Sequence, residues 1–115
     1  MKKIALVDDK DYGILQIKNS MPDYFQYNFE YFDTYKKAVN KKFDILFLDY
    51  YLDKDGLTGK DVIHELKADI IIGFSSVPDC NQELLKKGAD FAVTKIKQDT
   101  NADLNDLMNN ILDQY

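Results

Sequence analysis

Polar side chains that could work together stand directly behind four short apolar runs. Asp8 and Asp9 follow Ile4-Ala5-Leu6-Val7, Asp49 follows Ile45-Leu46-Phe47-Leu48, Ser75 and Ser76 come after Ile70-Ile71-Ile72, and Lys95 follows Phe91-Ala92-Val93-Thr94. If the runs lie side by side, Asp8, Asp9 and Asp49 converge, and each carboxylate disfavours its neighbours' ionisation unless a cation sits among them. A hard divalent ion such as Mg²⁺ answers that need. It takes oxygen ligands, keeps several waters and accepts phosphate oxygens in its remaining positions. The Lys95 ammonium and a serine hydroxyl then match the other oxygens of a phosphoryl group, whose charge must be stabilised electrostatically during transfer.

Hydrophobic patterning supplies the elements that must hold these residues. Runs 4–7, 45–48 and 70–72 are continuously apolar, as strands buried on both faces of a parallel sheet are. Phe25, Tyr27, Phe29 and Tyr31 alternate with polar residues and predict an edge strand, and 91–94 is a fifth, weaker strand after the turn signal Gly88-Ala89-Asp90. Helices are predicted over about 10–20, 33–41, 59–67, 80–87 and 100–114, the last with Leu104, Leu107, Met108, Ile111, Leu112 and Tyr115 at helical spacing. Five β-α units imply right-handed crossovers and a doubly wound parallel sheet with helices on both faces. In such sheets ligands bind beyond the carboxyl ends of the strands, where the polar residues stand.

Leu6-Val7-Asp8-Asp9, Phe47-Leu48-Asp49, Gly73-Phe74-Ser75-Ser76 and Gly88-Ala89-Asp90-Phe91-Ala92-Val93-Thr94-Lys95, in this order on successive β-α units, resemble the receiver domain of two-component response regulators. The resemblance covers essentially the whole chain. It implies a flavodoxin-like (βα)5 fold with strand order 2-1-3-4-5 and a phosphoacceptor at Asp49 that forms an acyl phosphate. Asp9 would ligate Mg²⁺ directly, Asp8 through water, and the backbone carbonyl of Tyr51 would be a third protein ligand. Ser75 would hydrogen-bond the phosphoryl oxygen and Lys95 would pair with it. A histidine kinase or phosphotransfer protein would donate the phosphoryl group, and a downstream effector protein would read it.

The chain departs from the family's pattern in places. Ile96 stands where a proline usually follows the lysine, and Ala92 replaces the usual aromatic switch residue. Behind Asp49 the loop is longer, with Asp53 and Leu57 at the usual proline and glycine positions and Gly56 and Gly59 flanking; the interval from Ser75 to Lys95 is short, which predicts a trimmed fourth helix or loop. These departures motivate an alternative, a pseudo-receiver that binds partners without phosphorylation. A phosphatase of the haloacid-dehalogenase type needs a second aspartate where Tyr51 stands. A flavodoxin-like electron carrier would meet Asp8 and Asp9 where it needs a phosphate loop.

With 115 residues, 45% hydrophobic and 30% charged, the chain has the length and composition of one globular domain. We expect a single receiver over 1–115 with no separate output domain, acting as a monomer or weak homodimer. Fifteen basic against twenty acidic residues give a net charge of −5, which argues against a duplex-DNA footprint. Lys36, Lys37, Lys41 and Lys42 are read as a solvated helix face. The lone Cys80 excludes an internal disulfide, and His64 is read as solvent-facing or structural. The apolar run near the N-terminus is too short for an export signal, and no stretch suffices for a membrane span, so a cytoplasmic location is expected. Tyr50 and Tyr51 flank the site as packing or access residues, and the aromatic run from Tyr24 to Tyr35 is read as core and edge-strand packing.

Overall fold

The computed structural model describes residues 2–21 and 23–114. Five parallel strands form the main sheet: β1 (Lys3–Val7), β2 (Asn28–Phe32), β3 (Lys42–Leu48), β6 (Lys67–Gly73) and β7 (Phe91–Ala92). Their order is β2-β1-β3-β6-β7, the expected 2-1-3-4-5 arrangement counted over these five. β4 (Tyr51–Leu52) and β5 (Leu57–Thr58) make a separate antiparallel hairpin, so the longer loop behind Asp49 is an ordered excursion. Gly56 lies in its turn at φ +67, a left-handed conformation that glycine adopts without steric cost.

The apolar runs are buried on both faces, as their lack of alternation required. Ala5, Val7, Leu46 and Leu48 join one core cluster, which Val62 and Leu84 cover from α2 (Gly59–Val62) and α3 (Pro78–Lys86). Ile4, Leu6, Ile45, Phe47 and Ile72 face the other way, onto Ile17 of α1 (Gly13–Asn19) and Leu104, Met108 and Ile111 of α4 (Ala102–Gln114). Tyr115 lies outside the described residues.

The structure corrects several boundaries. Over 33–41 there is no α-helix, only a 3-10 turn at Tyr35–Lys37. Ala38 is the one fully buried apolar side chain there, so no helical stripe exists to pack, and the Tyr35 N–H is taken by the Asp55 carboxylate at 3.0 Å. Lys36, Lys37, Lys41 and Lys42 are exposed, but on that turn and the start of β3 rather than on a helix face. The helix expected over 59–67 is the four-residue α2 and a 3-10 turn, because β6 begins at Lys67, paired with Lys42 at the solvated end of the sheet. Patterning sees only the buried part of such a strand. The aromatic strand starts at Asn28; Phe25 sits in a 3-10 turn and is 69% exposed. His64 is exposed, and Cys80 is buried in the first turn of α3.

Candidate functional site

Each chemical side chain sits just past the end of a strand, with its backbone still tied sideways to the neighbouring strand. The Asp8 N–H donates to Phe32 O (3.1 Å), that of Asp49 to Val7 O (3.0 Å), and that of Lys95 to Ser75 O (2.9 Å). The ladders therefore fix the spacing of the site. Behind Asp49 the chain packs flush against α2: the Gly59 N–H donates to Tyr50 O, and any Cβ at Gly59 would collide with the Asp49 carbonyl.

One carboxylate oxygen each from Asp8, Asp9 and Asp49 lies within 4.8 Å of the others. Asp8 is fully buried and Asp49 is 6% exposed. Lys95, 3% exposed, enters between them, its Nζ 2.5 Å from Asp8 Oδ2 and 3.5 Å from Asp49 Oδ1. Three carboxylates against one ammonium leave a surplus of negative charge, and each like-charged pair at this range costs on the order of 3 kcal/mol. Burial, then the charge of Asp8, pushes the Asp49 carboxyl up to about 7, against the pull of Lys95. Burial also raises Asp8. At Lys95 burial works against the ammonium, but the charges of Asp8 and Asp49 outweigh it and hold its pKa above the ordinary lysine value. Tyr31, beside the cluster, is pushed up to about 12 by burial and then by Asp8, Asp33, Asp11 and Asp9. Asp9, Asp11, Asp33 and Tyr31 help line an open depression of about 550 Å³ that leads to the cluster.

An all-oxygen, partly buried, over-negative cluster fits a hard divalent cation. Asp8 Oδ1 also accepts the Lys10 N–H (2.9 Å) and Asp9 Oδ2 the Asp53 N–H (3.3 Å), which orients both carboxylates. Tyr51 lies in β4, paired with Thr58, and its hydroxyl accepts from the Cys80 Sγ at 3.6 Å. Ser75 is buried. Its Oγ accepts the Val77 N–H (3.2 Å), leaving the O–H to donate, while Ser76 is exposed.

Sequence patterning missed the buried amides behind this site. Asn81 of α3 accepts the Ser75 N–H (2.9 Å) and donates to Ser75 O (3.0 Å) and Val93 O (3.2 Å), so it joins the β6-α3 loop to the segment leading to Lys95. The one available signal was an asparagine three residues before the core Leu84, on the same helix face.

No known protein family matches the sequence, and no curated protein matches it. Solved structures do. A CheY-like response regulator receiver domain protein from Methanospirillum hungatei superposes with a TM-score of 0.71 at 20% identity, over 99% of this chain and 95% of that one. The response regulator TrrA from Thermotoga maritima, solved with Mg²⁺ and BeF, gives 0.70 at 21% identity over the full length of both chains. The phosphorylated cyanobacterial phytochrome response regulator RcpA gives 0.71 at 18%, over 96% of this chain and 90% of that one. The fold is that of CheY-like response regulator receiver domains. Among the described residues no helix is long and apolar enough to cross a membrane.

Proposed function

We propose that this protein is a phosphoacceptor of the receiver type. Asp49 attacks the phosphorus of a phosphohistidine on a histidine kinase or phosphotransfer protein; the new O–P bond forms as the P–N bond breaks, and the freed imidazole keeps the electron pair. The observation that carries this reading is the buried Lys95 ammonium 3.5 Å from Asp49 Oδ1, beside a carboxylate trio at the sheet's carboxyl edge. Asp8, Asp9, Asp49 and the Tyr51 carbonyl would hold Mg²⁺, which supplies positive charge for the phosphoryl oxygens. Ser75 donates to one of those oxygens and Lys95 pairs with another. The product is an aspartyl phosphate, read in the cytoplasm by a partner protein through the β6-α3 loop that Asn81 anchors. No further turnover chemistry is assigned beyond self-phosphorylation and self-dephosphorylation.

Incubation with Mg²⁺ and acetyl phosphate, followed by a phosphate-affinity gel, should shift the wild type and leave Asp49→Asn unshifted. An unshifted wild type overturns the proposal. In that case the pseudo-receiver reading, motivated by Ala92 of β7 in place of an aromatic switch, takes over; it requires that Asp49→Ala still bind its partner normally.

A further inference from the structure

Beyond Ala92 the chain continues along the outer edge of the sheet, and among the described residues no strand lies outside it. The Val93 and Lys95 N–H groups point inward, to Gly73 O and Ser75 O, both at 2.9 Å. Outward-facing groups on either side of Lys95 are met by two side-chain amides from different helices. Gln16 of α1, fully buried, gives its Nε2 to Ile96 O, and its Oε1 accepts the Ile96 N–H at 3.2 Å. Asn101, at the start of α4, donates from Nδ2 to Thr94 O (2.9 Å) and to Gln16 Oε1 (3.0 Å), while its Oδ1 caps the helix by accepting the Leu104 N–H (3.1 Å). A primary amide presents a donor and an acceptor side by side, as a peptide group does, so Gln16 serves Ile96 as a one-residue substitute strand. A proline at 96 would have no N–H to give it.

The same helix walls the lysine stem. A Cβ on Gly13 would touch the Lys95 Cδ, and the Tyr12 ring lies 4.7 Å from Nζ. Gly13 and Gln16, one turn apart on α1, thus border the Lys95 side chain and hold the next residue's backbone. We infer that Gln16, acting with Asn101, is a positioning residue that aims the Lys95 ammonium at the Asp8–Asp49 pair. This rests on the phosphoacceptor reading for its purpose, though not for its geometry. A four-carbon stem has many rotamers, and the backbone clamp on both flanks fixes where it starts.

The test uses Gln16→Leu, which keeps the bulk and removes all three hydrogen bonds of the amide, and the gentler Gln16→Met should Gln16→Leu unfold. In metal-free protein, ¹⁵N NMR of lysine ammonium groups should show a sharp Lys95 signal that broadens or disappears in the Gln16 variant. With Mg²⁺ present, beryllofluoride should bind the variant about 10-fold more weakly than wild type, a loss typical of a removed outer-shell partner. In a Lys95→Met background the same Gln16 change should cost nothing further. An unchanged ammonium signal, or an equal loss of beryllofluoride affinity with and without Lys95, overturns the inference. A wild type that shows the Lys95 signal but binds no beryllofluoride counts against the phosphoacceptor reading, and the ammonium signal then decides the positioning role.

Discussion

The two halves of the site are built on opposite principles. On the β1–β3 side, Asp8, Asp9 and Asp49 gather like charge in a partly buried place, which one ammonium only partly offsets. On the β6–β7 side, Ser75 and Lys95 are held by Asn81, Gln16 and Asn101, neutral amides that each both donate and accept a hydrogen bond. Among the described residues no buried side-chain nitrogen or oxygen lacks a partner. The difference teaches that the ligand is expected from one side and the rigidity is supplied from the other. One half stores the electrostatic demand, and the other keeps the lysine from collapsing away from it.

The largest break in this contrast should come from Asn81→Ala. It strands the Ser75 N–H and the Val93 carbonyl in a buried place, while Ser75 O keeps the Lys95 N–H, so chemical denaturation should show a loss of about 3 kcal/mol. A loss under about 1 kcal/mol would mean the amide half is not the rigid one.

The acidic half should respond with the opposite sign. The Asp49 carboxyl sits at about 7 in the fold against an ordinary 3.8, so the metal-free fold holds a proton that the unfolded chain has released, and its stability falls as pH rises from about 4 to about 7. In EDTA, Asp49→Asn should therefore stabilise the protein at pH 8 by about 2 kcal/mol and change little at pH 4. Added Mg²⁺ should reverse the order at pH 8 by binding the native wild type. Thermal melts across pH, with and without Mg²⁺, check all three statements, and a destabilising Asp49→Asn in EDTA at pH 8 would refute the account of stored repulsion.

The smallest effect should come from Asp33→Asn. Asp33 bonds Lys37 at 2.8 Å and Lys54 at 3.0 Å, and those hydrogen bonds lower its carboxyl to about 2, yet both lysines are more than half exposed. Surface pairs of this kind contribute little, so the melt at pH 7 should coincide with wild type. A shift approaching that of Asn81→Ala would erase the distinction between exposed charge and buried amides.

The acidic half was legible in the sequence because strands buried on both faces are continuous apolar runs, and a carboxylate directly behind such a run has nowhere else to stand. The placement of Lys95 beside Asp49 followed from the weaker run 91–94 at the next strand position. The amide half was not. Gln16, Asn81 and Asn101 read as ordinary polar positions of amphipathic helices, and only the packing of α1, α3 and α4 against the sheet shows that they face inward. Segment 33–41 failed for a different reason: local composition allowed a helix, but Ala38 is its one fully buried apolar side chain, too little to pack a helical face.

The substitute strand that Gln16 provides has one more consequence, for self-association. An outer strand with unpaired N–H and C=O groups invites pairing with another chain. Here the outward groups of Thr94 and Ile96 are already occupied by side chains of the same molecule. The sheet edge on both flanks of Lys95 is thereby closed to a sixth strand, and the side chains of Gln16 and Asn101 disfavour edge-to-edge pairing there.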